Sequence, residues 1–223
     1  MDAARQGAER SRNMGTESKD IIDFLAGIET GSSLEAIRSR RLQARENAQR
    51  SYAALFEPAD FGDVAAVERH AVAAFVAGVH GEPSTTSFYT ARLAKTGGAA
   101  IADIVKVEIE RARTEGPYGA FPAGLLSVED KDGPTYRVAD ESRPILDGRL
   151  ATALEHVHLL VFHPRDASPS DLHALLDAGW SCNAIVTLSQ LVAFLSFQIR
   201  TIAGLRTLGA SIGRRASVSA KAS

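Results

Sequence analysis

The chain has 223 residues and a mass of 23.7 kDa, and 45% of it is hydrophobic, enough for one core of ordinary size. Twenty-five Lys and Arg against 27 Asp and Glu leave a net charge of -2, which argues against a nucleic-acid-binding surface. The single cysteine, Cys182, excludes an internal disulfide and any site needing two thiolates from one chain, and it fits a reducing cytoplasmic setting.

In chain order, Met1 to Lys19 is polar and lacks the apolar run of a secretory signal, so it reads as a flexible tail. Asp20 to Ile28 forms a short apolar helix. Ser32 and Glu35 have the capping-box spacing and open a helix expected to run to about Phe56. Asp63 is placed to cap a helix through Val64, Val67, Val72, Phe75, Val76 and Val79 as far as His80. Pro83 and Ser84 restart the chain into a helix carrying Phe88, Tyr89 and Leu93, closed by Gly97 and Gly98. Ile101, Ile104, Val105 and Ile109 mark the next amphipathic helix.

From Pro117 to Arg143 proline and glycine break the pattern, and a short irregular or hairpin insertion is expected. Helices resume at Pro144 and run to about His163. Ser168-Pro169-Ser170-Asp171 is a strong helix start, and Ser181 caps the last helix. Ala178 to Ile199 holds no charged residue, yet Ser181, Asn183, Thr187, Ser189, Gln190, Ser196 and Gln198 interrupt it. These polar groups are costly in lipid, so the segment reads as a core or interface helix and no membrane is expected. The fold class is all-α with about seven or eight helices, one domain over 20–209 and a second flexible tail over 210–223.

Three groups carry candidate chemistry. Glu68 shares a helical face with Val72, Phe75 and Val79, where a carboxylate must be paired, hydrogen-bonded or protonated. Either it serves as a general base in a pocket with His80 or it is held by an arginine; Tyr89 supplies a phenol that either lines such a pocket or packs in the core and interface. Cys182, just after the Ser181 cap, is a thiol at a helix N-terminus without a resolving partner. His156, His158 and His163 do not converge: positions two apart face opposite ways, and no carboxylate is placed to complete a set with His156 and His163. No metal and no cofactor is expected.

Asp177-Ala178-Gly179-Trp180, the run Ile185 to Phe194 and Phe197-Gln198-Ile199-Arg200 resemble the carboxymuconolactone decarboxylase superfamily, in its alkylhydroperoxidase-like, peroxidase-related branch. The resemblance covers roughly Asp20 to Gly209 and is most specific in the last third. It implies an alkylhydroperoxidase-like helical domain and a homo-oligomer. In peroxidase members a Glu precedes a Cys-x-x-Cys-x-x-x-His signature. Here Glu68 fits the Glu, while His80 and Pro83 fall at the two cysteine positions and Ser87 at the histidine. The expected function is therefore that of a member that has lost the thiol pair, a ligand-binding or structural partner of a cysteine-containing relative. The alternatives are a cofactor-free acid-base lyase or decarboxylase using Glu68 as base and His80 as proton donor or anion anchor, and a one-cysteine hydroperoxidase through Cys182.

Overall fold

The computed structural model describes residues 20–221; the N-terminal tail expected over 1–19 lies outside them. Nine α-helices and one 3-10 turn make up the regular structure, and no strand occurs among the described residues. In chain order they are α1 (Ile21–Ala26), α2 (Ser33–Ser39), α3 (Leu42–Phe56), α4 (Ala66–Val79), α5 (Pro83–Lys95), α6 (Ala99–Ala112), α7 (Arg143–Phe162), α8 (Pro169–Asp177) and α9 (Cys182–Lys221). The chain divides into two compact units, one of residues up to Arg50 with those from Gly204 on, the other of Ser51–Ala203.

The smaller unit is organised by charge. Arg38 bonds both Asp20 (2.7 Å) and Asp23 (2.8 Å), and Arg45 reaches Asp23 at 2.6 Å. Asp20 also caps α1 by accepting the N–H groups of Ile22 and Asp23. The helix expected over 32–56 is two helices, with a turn at Arg40 and Arg41. That break raises the helix number above the expected eight, and no Gly or Pro announces it.

The larger unit is built around α4. Every residue from Arg69 to Val79 on this helix is buried, and it packs against α5, α6 and α7. A helix buried all round reads as apolar all round, which Ala71 to Ala77 satisfies. Gly78 permits the closest approach, because a Cβ there would run into the side chain of Ile109 on α6. Asp63 is not the cap of α4. The helix starts at Ala66, and its first turn is closed by the Glu68 carboxylate accepting the Ala65 N–H at 2.8 Å.

The Pro117 to Arg143 segment is an irregular loop with a 3-10 turn at Leu125–Glu129 and a single antiparallel bridge between Gly119 and Lys131. It is tied down by the fully buried Glu108 of α6, which accepts from Tyr136 Oη (2.7 Å), Ser142 Oγ (2.5 Å) and the Ala139 N–H (3.3 Å). Within α7 the backbone breaks at Asp147 (φ 60°, ψ 172°), whose side chain caps the onward helix by accepting the Leu150 N–H at 2.8 Å.

The α9 start is capped as its sequence indicates, Ser181 Oγ accepting the Ala184 N–H at 3.1 Å. Ala184, Leu188, Leu191, Leu195, Gln198, Ile199 and Ile202 are its buried face. Cys182–Arg214 is long and apolar enough to cross a membrane by length and composition, and 50% of its most apolar window is buried within protein. α9 continues past residue 210, through the segment expected as a tail, to Lys221. The Ala- and Ser-rich sequence there holds no proline, and a glycine inside a helix costs only about 1 kcal/mol.

Candidate functional site

Glu68 and His80 do not share a pocket. They sit at opposite ends of one helix, twelve positions apart (68 to 80), which is ~18 Å of helical rise. Glu68 is held by Arg149, whose Nε donates to its Oε1 at 2.6 Å while the other two guanidinium nitrogens bond the Gly179 carbonyl (2.5 Å) and the Asp63 carbonyl (2.6 Å). The guanidinium also lies 4.1 Å from the ring centre of Trp180, and Trp180 Nε1 donates back to the Arg149 carbonyl. Of the two expectations for Glu68, the arginine pairing is the one the geometry realises. The carboxylate closes a clamp with Arg149 and the first turn of α4.

Tyr89 lies inside the core. It is fully buried, donates to Gln198 Oε1 at 2.8 Å and packs on Phe56, with ring centres 5.1 Å apart. Burial pushes its phenol far above the ordinary tyrosine range. The hydroxyl joins α5 to α9 inside the core.

His80 does line a cavity. An open groove of about 1150 Å³ runs between the end of α4, the Thr114–Pro117 turn, the end of α7 and α9. Val79, Val161, Phe162, Val192, Ala193 and Phe197 make it largely apolar, and His80 and Arg200, with Thr114, Ser189, Ser196 and Thr201, supply its polar groups. The His80 ring is oriented by its Nδ1 donating to the Val76 carbonyl at 2.9 Å, which leaves Nε2 as a hydrogen-bond acceptor in the neutral form. Burial holds this imidazole below its usual pKa, and the Arg200 guanidinium pushes it the same way against the Val76 hydrogen bond. Arg200 is exposed and forms no ion pair among the described residues. It is the first charge after the uncharged run that ends at Ile199, and it closes the Phe197-Gln198-Ile199-Arg200 segment quoted above.

Cys182 is exposed, at the first position of α9, as a lone thiol. Against the expectation that His156 and His158 diverge, His156, His158 and His163 (just past the end of α7) all border one small cavity, because the loop and α8 close over the helix and bring Glu155, Asp166 and Asp171 to it as well. His163 is pinned by acceptors at both nitrogens, Asp166 Oδ2 (2.9 Å) and the Pro134 carbonyl (3.1 Å). No set of three His, Cys, Asp or Glu side chains is arranged to hold a metal ion among the described residues. His70 is buried against Phe56 with Nδ1 bonded to the Ala66 carbonyl at 2.8 Å.

No family model matches the chain, and no curated protein or solved structure is similar to it. What the fold and cavities define is an all-α protein with an apolar groove ending in an imidazole and a guanidinium.

Proposed function

We propose that this chain is a carboxymuconolactone decarboxylase-like, peroxidase-related protein that has lost the thiol mechanism and works by binding an amphipathic acid in the α4–α7–α9 groove. The observation that carries this reading is the apolar wall beside Arg200, which has no ion pair among the described residues, and the acceptor Nε2 of His80. A carboxylate seats on the guanidinium, the carbon body lies along Phe197, Val192 and Phe162, and a hydroxyl of the ligand donates to His80. The position where the related peroxidases carry their first cysteine is thus a binding residue. A homo-oligomer, or a complex with a cysteine-containing relative, is part of the same proposal, and the outward Val186 and Phe197 of α9 support it as apolar exposed side chains.

The test is titration with 2-naphthoate, followed by fluorescence, beside an assay of cumene hydroperoxide consumption with dithiothreitol. Saturable binding, weakened about tenfold by Arg200→Gln and untouched by Cys182→Ser, supports the reading. Peroxide turnover abolished by Cys182→Ser would replace it with a one-cysteine peroxidase.

A further inference from the structure

The 117–143 loop carries the two most exposed large apolar side chains among the described residues. Leu125 and Val128 are 95% and 89% exposed, and Leu126 between them is 53% exposed, all on the one 3-10 turn Leu125–Glu129. An apolar cluster of this kind on a surface marks a contact. The turn is held in place. Ser127 N–H donates to the Gly124 carbonyl (3.1 Å), Gly124 N–H donates to Ser127 Oγ (3.0 Å), and Phe121 N–H donates to Asp130 Oδ1 (2.7 Å) beneath them. Arg165 bonds the Tyr118 and Gly119 carbonyls and lies 3.9 Å from the Phe121 ring centre, so it pins the base of the loop. A knob ordered in advance loses little conformational freedom when it docks.

The chemistry of the knob says what receives it. Leu125-Leu126-Ser127-Val128-Glu129 is an apolar body ending in a carboxylate, and Glu129 is exposed with no ion pair among the described residues. The α4–α7–α9 groove is its complement, with apolar walls at Val79, Phe162, Val192 and Phe197 beside Arg200, which also has no ion pair among the described residues. At about 1150 Å³ the groove exceeds the ~1000 Å³ upper range of pockets for drug-sized molecules, so it has room for a turn of polypeptide. The turn does not fill the groove of its own chain, because its apolar side chains face solvent. A lipid surface suits it poorly. Glu129, Asp130 and Asp132 outnumber Lys131 beside the tip, and anionic headgroups repel them.

We infer that the Leu125–Glu129 turn of one copy docks in the α4–α7–α9 groove of a second copy, Leu125 and Val128 against the apolar walls and Glu129 on the guanidinium of Arg200. The contact is heterologous, so two copies that exchange turns close a dimer. This inference rests on the preceding reading of the groove as a site for an amphipathic acid, and it supplies that acid from the protein itself. A small acid and the turn therefore compete for one site.

The experiment is sedimentation velocity of the whole chain over a concentration series, beside Leu125→Ser/Val128→Ser, Glu129→Arg, Arg200→Glu and the swap Glu129→Arg/Arg200→Glu. The expected result is self-association that each of the first three variants weakens at least about tenfold and that the swap restores. All four side chains are exposed, so the variants should keep the fold. 2-Naphthoate should dissociate the wild-type complex and still bind Leu125→Ser/Val128→Ser. A monomeric wild type, or association that Leu125→Ser/Val128→Ser leaves unchanged, would overturn the inference, while naphthoate binding to that variant would leave the small-acid reading standing. A swap that stays monomeric would break the pairing of Glu129 with Arg200 and overturn the assigned groove. Flotation of a monomeric wild type with phosphatidylcholine vesicles, lost in Leu125→Ser/Val128→Ser, would make the turn a membrane contact instead. Association restored by the swap without naphthoate binding would keep the interface and remove the small-acid reading.

Discussion

Arg149 and Glu68, 81 residues apart in sequence, meet at 2.6 Å and close a clamp that also holds Asp63, Gly179 and Trp180. Both side chains are largely shielded, at 14% exposure for Glu68 and 26% for Arg149. Removing one member of such a pair strands the other, which is costlier than the pair's own net contribution. Arg149→Met should therefore destabilise the protein by about 3 kcal/mol. Glu68→Gln, which keeps an acceptor and the Ala65 contact within reach, should cost about 1 kcal/mol. Urea unfolding of the two single variants and the double variant checks this. The double should cost less than the sum, and full additivity would show that the two side chains act independently.

The clamp also shows where sequence reading stops. The face shared by Glu68, Val72, Phe75 and Val79 was legible from spacing, and so was the choice between an arginine partner and a catalytic role. Which arginine was not legible, because Arg149 arrives from another helix through a break at Asp147. That break does have a signal, since Asp147-Gly148 is a turn dipeptide inside an apolar helical pattern. The caps at Ser32, Ser168 and Ser181 were readable because they depend on neighbours within three residues. His156 was seen, but its cavity was not. Asp171 and the Thr135–Arg137 loop come to it from separate elements, and no periodicity encodes that meeting.

Close packing of α4 on α6 depends on Gly78. A methyl group there meets Ile109 well inside van der Waals contact, with no open space to move into. Gly78→Ala gains helix propensity yet should lose about 1–3 kcal/mol through overpacking. Trimming the opposing side chain in Gly78→Ala/Ile109→Val should recover part of that loss. Equal stabilities for wild type and Gly78→Ala in thermal unfolding would mean that the helices separate at little cost.

Glu108 makes a different prediction, about order in a loop. Its carboxylate is the anchor for Tyr136, Ala139 and Ser142, and burial, followed by the hydrogen bond to this carboxylate, pushes the Tyr136 phenol well above its ordinary range. Tyr136→Phe removes one bond of a buried network and should cost about 1–2 kcal/mol. Glu108→Leu removes all three and should release the 134–142 segment, seen as new cleavage between Pro134 and Arg143 in limited trypsin digestion. An unchanged digestion pattern would assign the loop's order to other contacts.

Three buried histidines and the half-buried His80 set the response to acid. Burial is the leading cause that lowers the pKa of His70, His80, His156 and His158, and His158 is brought down to about 4, with His163 acting in the same direction. The folded form therefore takes up these protons at lower pH than the unfolded chain, whose histidines titrate near 6.5. Between those values the unfolded state binds more protons, so stability is fully present above about pH 6.5 and falls as pH drops towards about 4. His158 alone accounts for up to about 3 kcal/mol of that loss. Below about pH 4 its own contribution levels off, because both states are then protonated. Replacing it with His158→Gln, which still donates to the Ala112 carbonyl, should flatten the dependence over pH 4 to 6.5 while leaving unfolding at pH 8 little changed. Thermal unfolding of both proteins across that range is the measurement, and parallel curves would place the acid sensitivity in the other three rings.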